Sequence, residues 1–162
     1  MDFQDLNAFT AHMARLIGRV EREIHHHVAQ AAVLIEADAK ARIGTYQAAV
    51  GPFAAWAPLA ESTLEGGFAP SGQRYPGKIE LGYAPPDNPL LRDGELRDSI
   101  HHSADGNKMA VGSDLDNAVW QEMGTVNMPP RSFLAGAAAH HGEHIAAQVG
   151  HEVALVLAGL KL

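Results

Sequence analysis

From Leu6 onward the apolar positions fall at Leu6, Phe9, Met13, Leu16, Val20, Ile24, Val28, Ala31 and Ile35. A step of about 3.6 residues is the period of a straight helix, so the pattern predicts a long helix over 5–43. Asp2 or Asp5 is placed to cap its start and Gly44 to stop it. Gly18 costs about 1 kcal/mol against alanine and marks a place for a bend. Ala29–Ala39 is apolar on nearly every side except for Gln30, Glu36 and Asp38, and is expected to be buried on more than one face. At about 1.5 Å per residue the helix is about 57 Å long, against a diameter of about 40 Å for a compact domain of this size. It is therefore expected to overhang its own domain and to seek a partner.

Periodicity is lost between 44 and 92. Pro52, Pro58, Pro70, Pro76, Pro85, Pro86 and Pro89 stand there with Gly66, Gly67, Gly72, Gly77 and Gly82. The stretch reads as an extended loop with a short strand at Lys78–Tyr83. Such a long loop inside a small domain is usually functional or disordered, and the part from about Glu61 to Pro89 is expected to be mobile in the free chain and ordered in the assembled ring. Leu96–Ala104 and Lys108–Ser113 then read as paired strands joined by Asp105-Gly106-Asn107, because glycine takes positive φ freely. A short helix is predicted over Asp116–Met123, ended by Gly124, and Pro129-Pro130 holds the following segment extended. A last helix is predicted over 132–160, with Ala138, Ile145, Val149, Val153, Val156 and Leu160 as its apolar stripe. The predicted class is α+β. A long N-terminal helix and a C-terminal helix pack on a small antiparallel sheet, all in one domain over 1–162, with the hairpin and short helix in 93–131.

Composition narrows the function. The 162 residues contain no cysteine, which excludes a disulfide framework, a thiolate metal site and a cysteine nucleophile. No apolar run approaches the roughly 20 residues of a membrane span, and the opening residues lack the basic and apolar parts of a signal peptide. The formal charge of −7 makes the chain a poor ligand for nucleic acid, which recruits basic surfaces.

Ten histidines are many for this length. His25-His26-His27 are consecutive on a helix and point about 100° apart, so they do not chelate one ion together. His140, His144 and His151 share a helix face, and i, i+4 histidines suit zinc. The order around them is not the H-E-x-x-H of a metalloprotease, and a solvated or subunit-facing surface is expected. His141 falls near the apolar stripe, and His101 and His102 alternate across a strand. There is no nucleophile elbow and no phosphate loop. The expectation is no catalytic residue, no metal and no cofactor. Trp56 and Trp120 fit either core packing or an anchor at an interface, where tryptophan is enriched.

Five blocks carry a family resemblance. Trp56-Ala57-Pro58-Leu59-Ala60-Glu61-Ser62-Thr63-Leu64 resembles the W-x-P-L-x-x-S-T-L stretch of the Mu-like virion morphogenesis, or tail-completion, proteins. Leu91 to Ile100 resembles their L-x-x-T-G-x-L-R-x-S-I, and Val111-Gly112-Ser113 their V-G-S/T. Ala118 to Thr125 resembles Y-A-x-x-x-E-x-G-T, and Met128-Pro129-Pro130-Arg131-Ser132-Phe133-Leu134 resembles M-P-A-R-P-F-L. Minor tail and neck proteins of lambda-like phages share the last three blocks. Asp93, Asn117 and Ser132 depart from the pattern, standing where threonine, tyrosine and proline are usual.

The resemblance implies a structural protein that completes the tail and helps join it to the head, as a ring component and most often a hexamer. Its implied partners are further copies of itself, the tail tube or tail terminator, and head–tail connector proteins, with no membrane and no sequence-specific nucleic acid. The implied location is the virion tail or neck, and the host bacterial cytoplasm during assembly. Candidate contact residues are Trp56, Leu59, Trp120, Glu122, Thr125, Pro129, Pro130, Arg131 and Phe133. Arg131, after two prolines, is expected to dock on a neighbouring carboxylate. The competing readings are a small metal-dependent enzyme using the histidine-rich helix, and a phage-derived module that binds a bacterial partner.

Overall fold

A computed structural model describes residues 5–159. Asp2 as a cap and Leu160 as the end of the last helix lie outside them. The described chain is α+β: α1 (Leu6–Arg42), α2 (Glu61–Glu65), β1 (Gly66–Phe68), β2 (Arg74–Pro76), α3 (Glu95–Asp98), β3 (Ile100–Asp105), β4 (Lys108–Ser113), α4 (Asp116–Met123) and α5 (Leu134–Leu157). The strands form two antiparallel pairs, β1 with β2 and β3 with β4.

Asp5 caps α1: its Oδ1 accepts the Ala8 N–H at 2.7 Å. The helix ends at Arg42. Gly44 follows at φ +97° and donates its N–H to the Pro89 carbonyl at 2.8 Å. The apolar stripe of α1 runs from exposed to buried along its length. Leu6, Phe9, Met13 and Ile17 are exposed, Leu16, Val20, Ile24 and Val28 are half-buried, and Ala31 and Ile35 are buried. Ala29–Ala39 is buried on one face and not on several, since Ala29, Gln30, Val33, Leu34 and Ala37 are exposed.

The described residues divide into two compact units. The first holds 5–34 of the N-terminal segment, 102–110 and 141–159. Its interior is thin: Ala31, Ala32 and Val156 are its buried apolar side chains, and His27 is buried with them. Beyond Ile100 every side chain of β3 is exposed.

The second unit holds 35–101 and 111–140. Ile35, Ala39, Ile43, Trp56, Leu96, Ile100, Ala118, Phe133 and Ala137 form its apolar interior. Arg42 is buried too, and its guanidinium meets Asp38 Oδ2 at 3.0 Å. The α5 stripe departs from expectation here, because Ala137 is buried and Ala138 exposed.

The proline- and glycine-rich stretch is not structureless. Helix α2 leads into the β1–β2 pair, in register Gly66 with Pro76 and Phe68 with Arg74. The Lys78 and Ile79 N–H groups bond back to the Thr63 and Leu64 carbonyls, both at 3.0 Å. This requires two glycines. A Cβ on Gly77 would lie 2.2 Å from the Gly66 nitrogen and 2.3 Å from the Leu64 oxygen. Lys78 Nζ donates to the carbonyls of Asp87, Asn88 and Leu91. Lys78–Tyr83, expected as a strand, is instead a run of turns over 78–82.

Residues 95–98 also differ from the strand expected to start at Leu96. Gly94 sits at φ +93° and Asp93 Oδ1 accepts the Glu95 N–H at 3.2 Å, which turns the chain into α3 before β3 begins at Ile100. Residues 108–113 and 116–123 fold as expected.

Candidate functional site

The blocks that carry the family resemblance meet in the second unit and bond to one another. Ser99 and Ser113, from the second and third blocks, place their hydroxyls 2.7 Å apart, and Ser113 Oγ accepts the Leu115 N–H ahead of α4. Glu122, from the fourth block, receives the N–H groups of Phe133, Leu134 and Ala135 at 2.8–3.0 Å. A carboxylate on the unpaired amides of a helix start is favoured by both hydrogen bonding and the helix dipole. It also explains why α5 begins at Leu134 and not at Ser132. Ser132 Oγ donates to the Glu122 carbonyl at 3.2 Å, and the Arg131 N–H to the Gln121 carbonyl at 2.7 Å.

Arg131 closes the set. Its Nη2 donates to the Ala57 carbonyl at 3.0 Å and the Pro58 carbonyl at 3.3 Å, in the first block. The side chain is 4% exposed, and its Nε is buried without a hydrogen-bond partner. Burial lowers its pKa below the usual arginine range, an effect that Tyr46 opposes. The docking role expected for Arg131 is thus corrected: a guanidinium held inside the chain is not presented to a neighbour.

Tyr46 braces the same corner. Its hydroxyl donates to Asp87 Oδ2 and accepts the Leu59 N–H at 3.1 Å. Burial and the bond to Asp87 raise its pKa above 10.0, against the Leu59 amide and Arg131, which lower it. Burial also lowers the Lys78 pKa, with Asp87 acting against it.

Beside this corner lies an open cavity of about 600 Å³. Pro58, Leu59, Lys78, Leu96, Gln121, Met128, Pro129 and Arg131 are among its lining residues. Gln121 Oε1 is buried and without a hydrogen-bond partner, as is Arg131 Nε. Leu90, also in the wall, holds φ +64°, a left-handed conformation that is costly for a residue with a Cβ. The lining combines hydrogen-bonding and apolar groups. It includes no histidine beside Ser62 or Thr63 to activate a hydroxyl.

The other expected contact residues separate by exposure. Trp56 and Phe133 are interior, which corrects their place among the contact candidates. Glu122 and Leu59 are half-buried, Glu122 as the cap of α5 and Leu59 in the cavity wall. Trp120, Thr125, Pro129 and Pro130 are exposed. Trp120 shares its surroundings in sequence with Val119, Met123 and Val126, all exposed; Trp120 is 56% and Met123 74% accessible.

Among the histidines, His140 Nδ1 lies 3.1 Å from Asp38 Oδ2, while His144 and His151 are exposed and join no group of three ligand-type side chains among the described residues. His141 is half-buried, as expected. One set of ligand-type side chains that the sequence reading did not single out does converge. Glu23, His27 and Glu152 come within 4.8 Å of one another, measured between their potential ligand atoms. Sequence spacing hints only at Glu23 and His27, one helical turn apart. No helix among the described residues is long and apolar enough to cross a membrane. No family model, no curated protein and no solved structure matches the chain.

Proposed function

We propose that this protein is a structural component of a tailed phage or prophage, of the tail-completion class, acting in a ring at the head–tail junction. The observation that carries the reading is the mutual bonding of the sequence blocks. Arg131 holds Ala57 and Pro58, Glu122 caps the helix that follows the last block, and Ser99 meets Ser113. The bonds make the blocks parts of one framework in the second unit, as a single structural domain of that class requires.

Two features support an assembly role. The apolar stripe at the start of α1 presents large side chains to solvent, with Leu6 77% exposed and Met13 and Ile17 exposed after it. The outer side of α4 and the segment after it expose Val119, Trp120, Met123 and Val126. Large apolar side chains grouped on a surface mark interaction sites in soluble proteins. A head-to-tail contact that closes yields a ring. Asp93, which departs from the family threonine, still accepts an N–H two residues on, the bond a threonine hydroxyl also makes.

The test is mass and shape. Light scattering and negative-stain imaging of the pure chain across concentration, alone and with tail-tube and connector proteins, should show a closed assembly at a small multiple of 17.3 kDa. A monomer under every one of these conditions refutes the reading.

A further inference from the structure

In the first unit, one turn of α1 and the later part of α5 bring three ligand-type side chains together. Glu23 and His27 stand at i and i+4 on α1, so they share a face. Glu152 meets them from α5, and one potential ligand atom of each lies within 4.8 Å of the other two. The carboxylates are half-buried. His27 is 9% exposed, and its Nε2 is buried without a hydrogen-bond partner. A buried imidazole nitrogen left unpaired is costly and calls for a partner that the described side chains do not supply.

We propose that Glu23, His27 and Glu152 form a binding site for one divalent transition-metal ion of the zinc type, which clips α1 to α5. Two carboxylates and a neutral imidazole balance a 2+ charge. The imidazole nitrogen selects zinc and its neighbours over magnesium or calcium, which prefer an all-oxygen shell. Zinc ligand bonds of about 2 Å put the ligand atoms of one ion roughly 3.3 Å apart, so modest side-chain rotation draws this set in from its present spacing. Water completes the shell. The thin interior around the site, Ala31, Ala32 and Val156, buries little apolar area, and a metal clip is a common way to hold such a unit together. The inference is independent of ring assembly.

The experiment uses the full, tag-free chain, stripped with chelator and titrated with zinc chloride by calorimetry and by thermal melting. One tight ion per chain is expected. At a zinc concentration about a hundred times Kd, Tm should rise by about 5–10 °C, while magnesium chloride leaves it in place. Glu23→Gln and Glu152→Gln should each weaken zinc binding by at least about tenfold. His144→Gln, at an exposed histidine, should not weaken it. Cobalt substitution reads the same site by its visible absorption should either glutamine variant fold poorly. Absence of a tight ion overturns the proposal. So does tight zinc that survives both glutamine substitutions, since the ion is then held by the exposed histidines.

Discussion

Arg131 and Glu122 show how a residue's chemistry can be legible while its address is not. The run Met128 to Leu134 marks Arg131 as a planar cation on a rigid spoke, and the structure turns that spoke inward, onto the carbonyls of Ala57 and Pro58. Arg131→Ala should therefore lower the unfolding free energy by roughly 2–4 kcal/mol, because it strands buried carbonyls and empties packed volume. Urea denaturation checks this, and an unchanged midpoint would return Arg131 to the surface role. Glu122→Ala removes the acceptor of the Phe133, Leu134 and Ala135 amides and should cost about 2 kcal/mol, read as lost stability with early fraying of α5. Tyr46 gives a pH test. Its folded-state pKa is raised above 10.0, so its contribution is complete below pH 10 and is lost as pH rises through the folded value. The denaturation midpoint should fall more steeply above pH 10 in the native chain than in Tyr46→Phe.

At the scale of elements, periodicity located α1, α4 and the second strand of the hairpin well, because a long amphipathic repeat and a Gly-bearing turn are local signals. The segment 61–91 was opaque for a physical reason. Its order rests on Gly66 and Gly77 allowing two backbones to touch, and on Lys78 reaching carbonyls nine to thirteen positions ahead. Neither leaves a hydrophobic period. Gly77→Ala should accordingly destabilise by roughly 2 kcal/mol or more, since its Cβ meets backbone that cannot yield. Limited trypsin digestion should cut at exposed Arg74 and spare half-buried Lys78. Cleavage at Lys78 first would mean that the carbonyl cluster does not hold. The start of α1 makes an opposite prediction. Leu6→Ser with Ile17→Ser, both at exposed positions, should leave the melting temperature nearly unchanged and weaken association, measured by sedimentation across concentration.

For the whole molecule, the local pattern of the chain determined a great deal by itself. The two long helical repeats and the glycine-bearing turn between them set the α+β class and the bounds of α1, β4 and α4, because these depend on neighbours in sequence. The tertiary structure alone decided which side chains face inward. It buried Trp56 and Phe133, left Trp120 exposed, and split the apolar stripe of α1 into a covered and an uncovered part. It also decided that Glu23 and His27 meet Glu152. Burial and convergence depend on pairs of residues far apart in the chain, and a one-dimensional pattern carries the preference of each residue but not the identity of what it will touch.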